Sequence, residues 1–259
     1  MIKKTRIISV VNQKGGVGKT TTAVNLSGGL AKEGFKVCLI DMDHQGNATT
    51  SLGVDVEDKP TVAELLVLQD AKLEDVVVET EVKNLHLVPS DISLAKADKR
   101  LNTEGGKEYK LRNKVLEQKK NYDFIIIDCP PSLTNLFENS MTTCSEYIIP
   151  IQLDSFSVSG VGQMLEEVRK LEKDVFINVN HKSKLLGALI TLHEKSTKIS
   201  KSVGEDIEQI FKDKLFKTKI PKNTTIKDSQ NNAKTIFDYS QDSAGAKAYK
   251  SLVKEVLER

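Results

Sequence analysis

The feature that most restricts the fold is a set of short apolar runs that do not alternate with polar residues. Val37-Cys38-Leu39-Ile40, Phe124-Ile125-Ile126-Ile127 and Tyr147-Ile148-Ile149-Pro150-Ile151 are apolar or aromatic at every position. A strand that is apolar on both faces must be covered on both, as in a parallel sheet between two layers of helices. Ile7-Ile8-Ser9-Val10-Val11, Leu85-His86-Leu87-Val88 and Leu185-Leu186-Gly187-Ala188-Leu189-Ile190 extend the set. Helix-like segments separate the runs: Thr20 to Glu33, closed by Gly34; a short one near Val62 to Leu68; and stretches at 107–120, 157–172, 198–212 and 243–258. This order predicts an α/β fold, a doubly wound and mostly parallel sheet flanked by helices. With 259 residues, no internal repeat and no linker, the chain reads as one domain spanning 1–259. Only the stretch 53–83 resists a firm reading.

Other classes are excluded by what the chain lacks. No apolar run reaches the roughly 18 residues of a membrane span, and no signal-peptide core precedes Ile7. A cytoplasmic protein is expected. Cys38, Cys129 and Cys144 are odd in number, widely spaced and outside any zinc pattern, so they read as reduced core residues. Net charge is only +2, too mild to indicate nucleic acid by itself.

The chemistry is concentrated in Lys14-Gly15-Gly16-Val17-Gly18-Lys19-Thr20-Thr21, between the first strand and the first helix. That context is the one a phosphate-binding loop requires. Its glycines let backbone N–H groups close on phosphate oxygens, and the helix N-terminus adds the positive end of its dipole. Lys19 is placed for the β- and γ-phosphates and the Thr20 hydroxyl for Mg²⁺, so MgATP is the expected ligand. Asp128 ends the most apolar strand and is expected to hold Mg²⁺, through water; a helix cap is its alternative. Asp41 would support the metal or the loop, and Asp41 and Asp43 could equally be helix caps. Gln13 stands where a generic loop has glycine, and Lys14 adds a second cation, either for the phosphates or for solvent.

The loop resembles the deviant phosphate-loop signature of the ParA/MinD ATPases. Asp41-Met42-Asp43-His44-Gln45-Gly46-Asn47-Ala48-Thr49, Tyr122 to Ser132 and Ile220-Pro221-Lys222-Asn223 are similar to three further segments of that group, in the order of the ParA/Soj partition proteins. The resemblance implies that Asp43 orients the attacking water and joins the metal site. It implies that Pro221 and Asn223 border the adenine. It also implies a homodimer closed on two nucleotides, in which Lys14 of one subunit reaches the other's phosphates. His44 replaces a proline of the family, which loosens the backbone after Asp43.

Three tasks fit such an engine. The first is plasmid or chromosome segregation by a nucleoid-associated ATPase. It would bind double-stranded DNA without sequence preference and would be stimulated by a ParB-like centromere-binding partner. Between Lys182 and Lys222 there are ten lysines against five acids, a local excess suited to phosphates. Lys195, Lys198, Lys217, Lys219 and Lys222 are the candidate contacts; a solvated helix face is the bland alternative. The family's arginine after the strand-like run Leu185 to Ile190 is absent, since the chain reads Glu194-Lys195-Ser196-Thr197. With no helix-turn-helix before Ile7, the chain is not expected to read operators. The second task is MinD-like membrane positioning through the last helix, whose Leu252, Val253, Val256 and Leu257 form one stripe. Packing on the body explains that stripe more simply, so no membrane partner is expected. The third is metabolic, as a ligase or iron–sulfur donor, for which no pocket motif or cysteine pair argues.

Overall fold

The apolar runs become the strands of one eight-stranded sheet. The computed structural model describes residues 5–194 and 198–259, apart from the side chains of residues 198–200. The strands are β1 Arg6–Val10, β2 Val37–Asp41, β3 Val78–Glu79, β4 Leu85–Val88, β5 Phe124–Asp128, β6 Glu146–Gln152, β7 Lys184–His193 and β8 Leu215–Pro221. Their spatial order is β3-β4-β2-β5-β1-β6-β7-β8. All pairings are parallel except β3 with β4.

Helices cover both faces. They are α1 Lys19–Lys32, α2 Asn47–Ser51, α3 Val62–Val67, α4 Leu73–Val76, α5 Ser93–Leu101, α6 Lys110–Gln118, α7 Asn135–Thr143, α8 Ser157–Asp174, α9 Lys198–Phe211, α10 Thr224–Asn231, α11 Ile236–Tyr239 and α12 Ala244–Glu258. One core lies between the sheet and α3 to α9; the other lies between the sheet and α1, α10, α11 and α12. β2 and β5 are buried at every residue because both layers cover them, as their unbroken apolar runs require. The uncertain stretch 53–83 holds α3, α4 and β3. Thr61 and Glu64 start α3 with a capping box: the Thr61 N–H donates to Glu64 Oε2 at 2.8 Å, and the Ala63 N–H donates to Thr61 Oγ1 at 3.2 Å.

β8 is an edge strand, and its residues alternate buried and exposed. Its exposed N–H groups are a liability for mispairing. Glu255 of α12 covers them: Oε2 accepts from Lys217 N–H at 2.9 Å, and Oε1 accepts from Thr218 N–H at 2.7 Å and Thr218 Oγ1 at 2.6 Å. Leu252, Val253 and Val256 of the same helix are buried in the second core, so three of the four stripe residues pack on the body while Leu257 stays exposed. Among the described residues no helix is long and apolar enough to cross a membrane. Cys38, Cys129 and Cys144 are buried free thiols, and burial pushes Cys38 and Cys144 up to about 12.

Glu255→Ala is expected to lower stability by about 1–3 kcal/mol in urea denaturation, because three donors lose a charged acceptor. Glu255→Gln, which keeps one oxygen, is expected to lose less.

Candidate functional site

Strand register puts the site together. β1, β5 and β2 are neighbours, and their last residues stand level: Val10 opposite Asp128, and Asp128 opposite Asp41. β1 also sits where the winding reverses, with β5 on one side and β6 on the other. Ligands of open α/β sheets bind at the carboxyl ends of strands at such a point.

The phosphate loop leaves β1 here. Gly16 (φ 75°) and Gly18 (φ 85°) take the left-handed conformation that side chains resist. Gly18 precedes α1 with no side-chain cap, so the first N–H groups of the helix are left for an anion. The loop is tied from below and from the side. Asn12 Nδ2 donates to the Pro150 carbonyl at 2.7 Å, Lys14 N–H donates to Asn12 Oδ1 at 2.9 Å, and Thr191 Oγ1 of β7 donates to the Val17 carbonyl at 2.7 Å. Lys19 is buried and donates to the Lys14 carbonyl at 3.1 Å. Burial lowers its pKa, against the pull of Asp128, Cys129 and Asp43.

The three carboxylates have different surroundings. Asp41 is fully buried and well supplied with donors. Oδ2 accepts from Thr49 N–H at 2.9 Å and Thr49 Oγ1 at 2.8 Å, and Oδ1 accepts from Asp43 N–H at 3.2 Å. Burial raises its pKa to about 6, the Thr49 donors and the Asp43 N–H opposing and the Asp43 charge adding. The sequence left Asp41 as support for the metal, support for the loop or a helix cap; its contacts tie it both to the main chain of Asp43 in the loop and to Thr49 in the first turn of α2. Asp43 is nearly buried; its Oδ1 accepts from Gln45 N–H at 3.0 Å, and His44 Nδ1 lies 3.7 Å away, beyond hydrogen-bond reach. Asp128 is fully buried, and neither carboxylate oxygen has a hydrogen-bond partner. Burial, then Asp41, lifts its pKa well above the carboxylate range, while Thr20 and Lys19 act in the other direction.

A buried carboxylate without a partner beside a hydroxyl is what a divalent cation would satisfy. Thr20 and Asp128, with Asp43 close by, are oxygen donors that could hold Mg²⁺, a cation that keeps waters and completes its shell from phosphates. Among the described residues no cluster of three His, Cys, Asp or Glu residues could cage an ion alone. A cavity of about 580 Å³ opens beside Thr20 and Asp43, walled by Gly15, Gly16, Gly18, Lys19, Thr20 and Thr21 on one side; Asp128, fully buried, is not among its lining residues. Asp43, Gln45, Asn47, Thr50, Ser51 and Pro131 form a second side, and Leu192, Lys227, Gln230 and Asn231 close it.

A family model described as an AAA domain matches residues 5–183. The sporulation initiation inhibitor protein Soj of Bacillus subtilis is 39% identical over 251 residues, covering 97% of this chain and 98% of that protein. The chain belongs to the ParA/Soj family of ATPases. The chromosome partitioning protein ParA of Caulobacter vibrioides is 32% identical over 256 residues, covering 98% and 94%. A solved structure named as cobyrinic acid a,c-diamide synthase of Mycobacterium smegmatis, with bound ATP analogue and magnesium, superposes with TM-score 0.85 at 33% identity, covering 98% and 95%.

In this ParA-type chain, the structure brings together Gly15, Gly16, Gly18, Lys19, Thr20, Thr21 and Asp43 around one cavity, while Val17 and Asp128, at the end of β5, are buried and do not line it. Lys14 is not part of that wall; its ammonium is ion-paired with Asp154. Pro221 ends β8, and Asn223 caps α10 by accepting from Thr225 N–H at 2.7 Å; neither is among the described residues lining the cavity. Lys227, Gln230 and Asn231, on the next turns of α10, do line it. Their spacing marks one helix face, but nothing in the sequence indicated that the face turns toward the loop. Of the lysines, Lys217 and Lys219 lie on the exposed side of β8. Lys217 has no ion pair among the described residues, Lys219 lies 3.9 Å from Glu208, and Lys222 pairs with Glu194 at 2.9 Å. Lys195 lies outside the described residues, as does the side chain of Lys198.

The Asp128 carboxyl has a pKa above its unfolded value, so the folded chain keeps a proton that the unfolded chain has released. Stability is therefore lost as pH rises from the ordinary carboxylate range toward that raised value. Without nucleotide or Mg²⁺, Asp128→Asn is expected to match the wild type near pH ~4. At higher pH it is expected to exceed the wild type by about 1–3 kcal/mol in denaturant titrations.

Proposed function

We propose that the chain is a single-domain ATPase of DNA segregation, cytoplasmic and nucleoid-associated, that binds ATP with Mg²⁺ in the cavity above β1 and β5. The observation that carries this reading is the unpartnered, buried Asp128 facing a phosphate loop whose helix N–H groups are uncapped. Bound Mg²⁺ supplies charge neutralisation at the phosphates. Lys19 exchanges its bond to the Lys14 carbonyl for phosphate oxygens, and Asp43 orients the attacking water. Thr21, with Gln230 at 3.3 Å, continues the binding surface beyond the phosphates.

Pairing of two chains on ATP extends the same reading. Lys14 must leave Asp154 to reach a second subunit's nucleotide. That ion pair is about one-third exposed on both sides, so releasing it costs under about 1 kcal/mol. The paired form binds DNA without sequence preference through the lysines around β8, and a centromere-binding partner stimulates hydrolysis and release. The names of the partition relatives and the exposed Lys217, without an ion pair among the described residues, support this assignment.

Lys19→Ala is expected to abolish nucleotide binding or turnover, and Asp43→Ala to retain ATP yet stall; normal turnover by Asp43→Ala contradicts its role. Binding to random double-stranded DNA is expected with ATP but not with ADP or without nucleotide, and to weaken steeply with salt. Lys217→Ala is expected to reduce the slope of log affinity against log salt by about one. Equal binding in all three nucleotide conditions, or none in any, contradicts the reading.

A further inference from the structure

Asp43 sits at the start of a short turn between β2 and α2, and a turn alone does not fix a carboxylate to the fraction of an ångström that orienting a water requires. The turn is fixed from the neighbouring strand. β4 pairs in parallel with β2, Val88 opposite Ile40, so the residues after the two strands run side by side. Ser90, two residues beyond β4, is 2% exposed and bonds to both ends of the turn. Its Oγ donates to the Asp43 carbonyl at 2.8 Å, and its N–H donates to Thr49 Oγ1 at 3.0 Å. Thr49 Oγ1 in turn donates to Asp41 Oδ2 at 2.8 Å. The middle of the turn also touches this residue. Gly46 has φ 60°, and a Cβ there would lie 2.7 Å from the Ser90 carbonyl oxygen.

We propose that Ser90 is a positioning residue for hydrolysis: its hydroxyl, held on the Asp43 carbonyl, sets where the Asp43 carboxylate stands over the phosphates. The proposal rests on the reading of Asp43 as the group that orients water. Ser90 is not among the cavity-lining residues, so it acts through Asp43 and not on the nucleotide. The Ser90 N–H bond to Thr49 does not involve the hydroxyl, so Ser90→Ala keeps the second anchor of the turn.

The test is steady-state ATP hydrolysis together with equilibrium ATP binding and thermal melting, on the full chain with Mg²⁺. Ser90→Ala is expected to lower kcat about tenfold with ATP affinity within about twofold of wild type. Gly46→Ala, which pushes the turn off Ser90 with the hydroxyl intact, is expected to show the same pattern. Asp43→Ala/Ser90→Ala is expected to be no slower than Asp43→Ala alone, because the two act as one unit. Wild-type kcat in Ser90→Ala overturns the proposal, as does an affinity loss as large as the kcat loss, or a further loss in the double variant. Normal turnover by Asp43→Ala alone removes the underlying reading of Asp43. A stalled Asp43→Ala beside an unimpaired Ser90→Ala removes only the role of Ser90.

Discussion

Two carboxylates, Asp41 and Asp128, end adjacent parallel strands at the same level, both fully buried. Like charges so close raise each other's cost of ionisation, and the fold meets that cost in two ways. Asp41 is met internally by Thr49 and the main chain of Asp43, and so becomes the anchor of the turn that carries Asp43. Asp128 is left without a hydrogen-bond partner. A carboxylate left so beside Lys19 and Thr20 is a demand for positive charge that the chain's own side chains do not fully meet. The metal and nucleotide reading follows from that imbalance more than from the shape of the cavity.

The phosphate loop is braced from the strands around it. Asn12 ties its start to β6, Thr191 ties Val17 to β7, and Gln230 reaches Thr21 from α10 and Ser51 from α2 at 3.4 Å. The same β7 continues through Leu192, which lines the cavity with φ 50°, to His193, whose carbonyl accepts from Lys222 N–H at 3.1 Å. The nucleotide end of the sheet and the lysine-bearing edge strand therefore share one continuous strand pair. A change at the loop has a short covalent and hydrogen-bonded route to β8.

Much of this was legible because its causes are local. Unbroken apolar runs gave β2, β5 and β6, and the glycines around Lys19 required a turn before a helix. α7 was missed because Asn135-Leu136-Phe137-Glu138-Asn139-Ser140 is poor in helix formers. It is helical because its polar residues are buried and bonded: Asn139 donates to the Lys107 carbonyl at 2.7 Å and accepts from Leu111 N–H at 2.9 Å. Such partners are distant in sequence and leave no periodic trace. β8 was not among the apolar runs, since an edge strand with alternating lysines lacks the apolar continuity of the others. The roles of Ser90 and Gln230 were invisible for the same reason: each bonds to residues 41 or more positions away. The reach of Lys14 to a second subunit and the adenine contact of Asn223 came from resemblance, and in this chain their side chains are engaged by Asp154 and by the start of α10.

The most direct test of the central claim is the Mg²⁺ dependence of ATP affinity, measured by calorimetry in wild type and Asp128→Asn. The account predicts that Mg²⁺ tightens ATP binding by about tenfold or more in wild type, the worth of one charge-assisted contact. It predicts that most of this gain is lost in Asp128→Asn while Mg²⁺-free affinity is kept. An ATP affinity indifferent to Mg²⁺, or an undiminished Mg²⁺ effect without the Asp128 carboxylate, would contradict it.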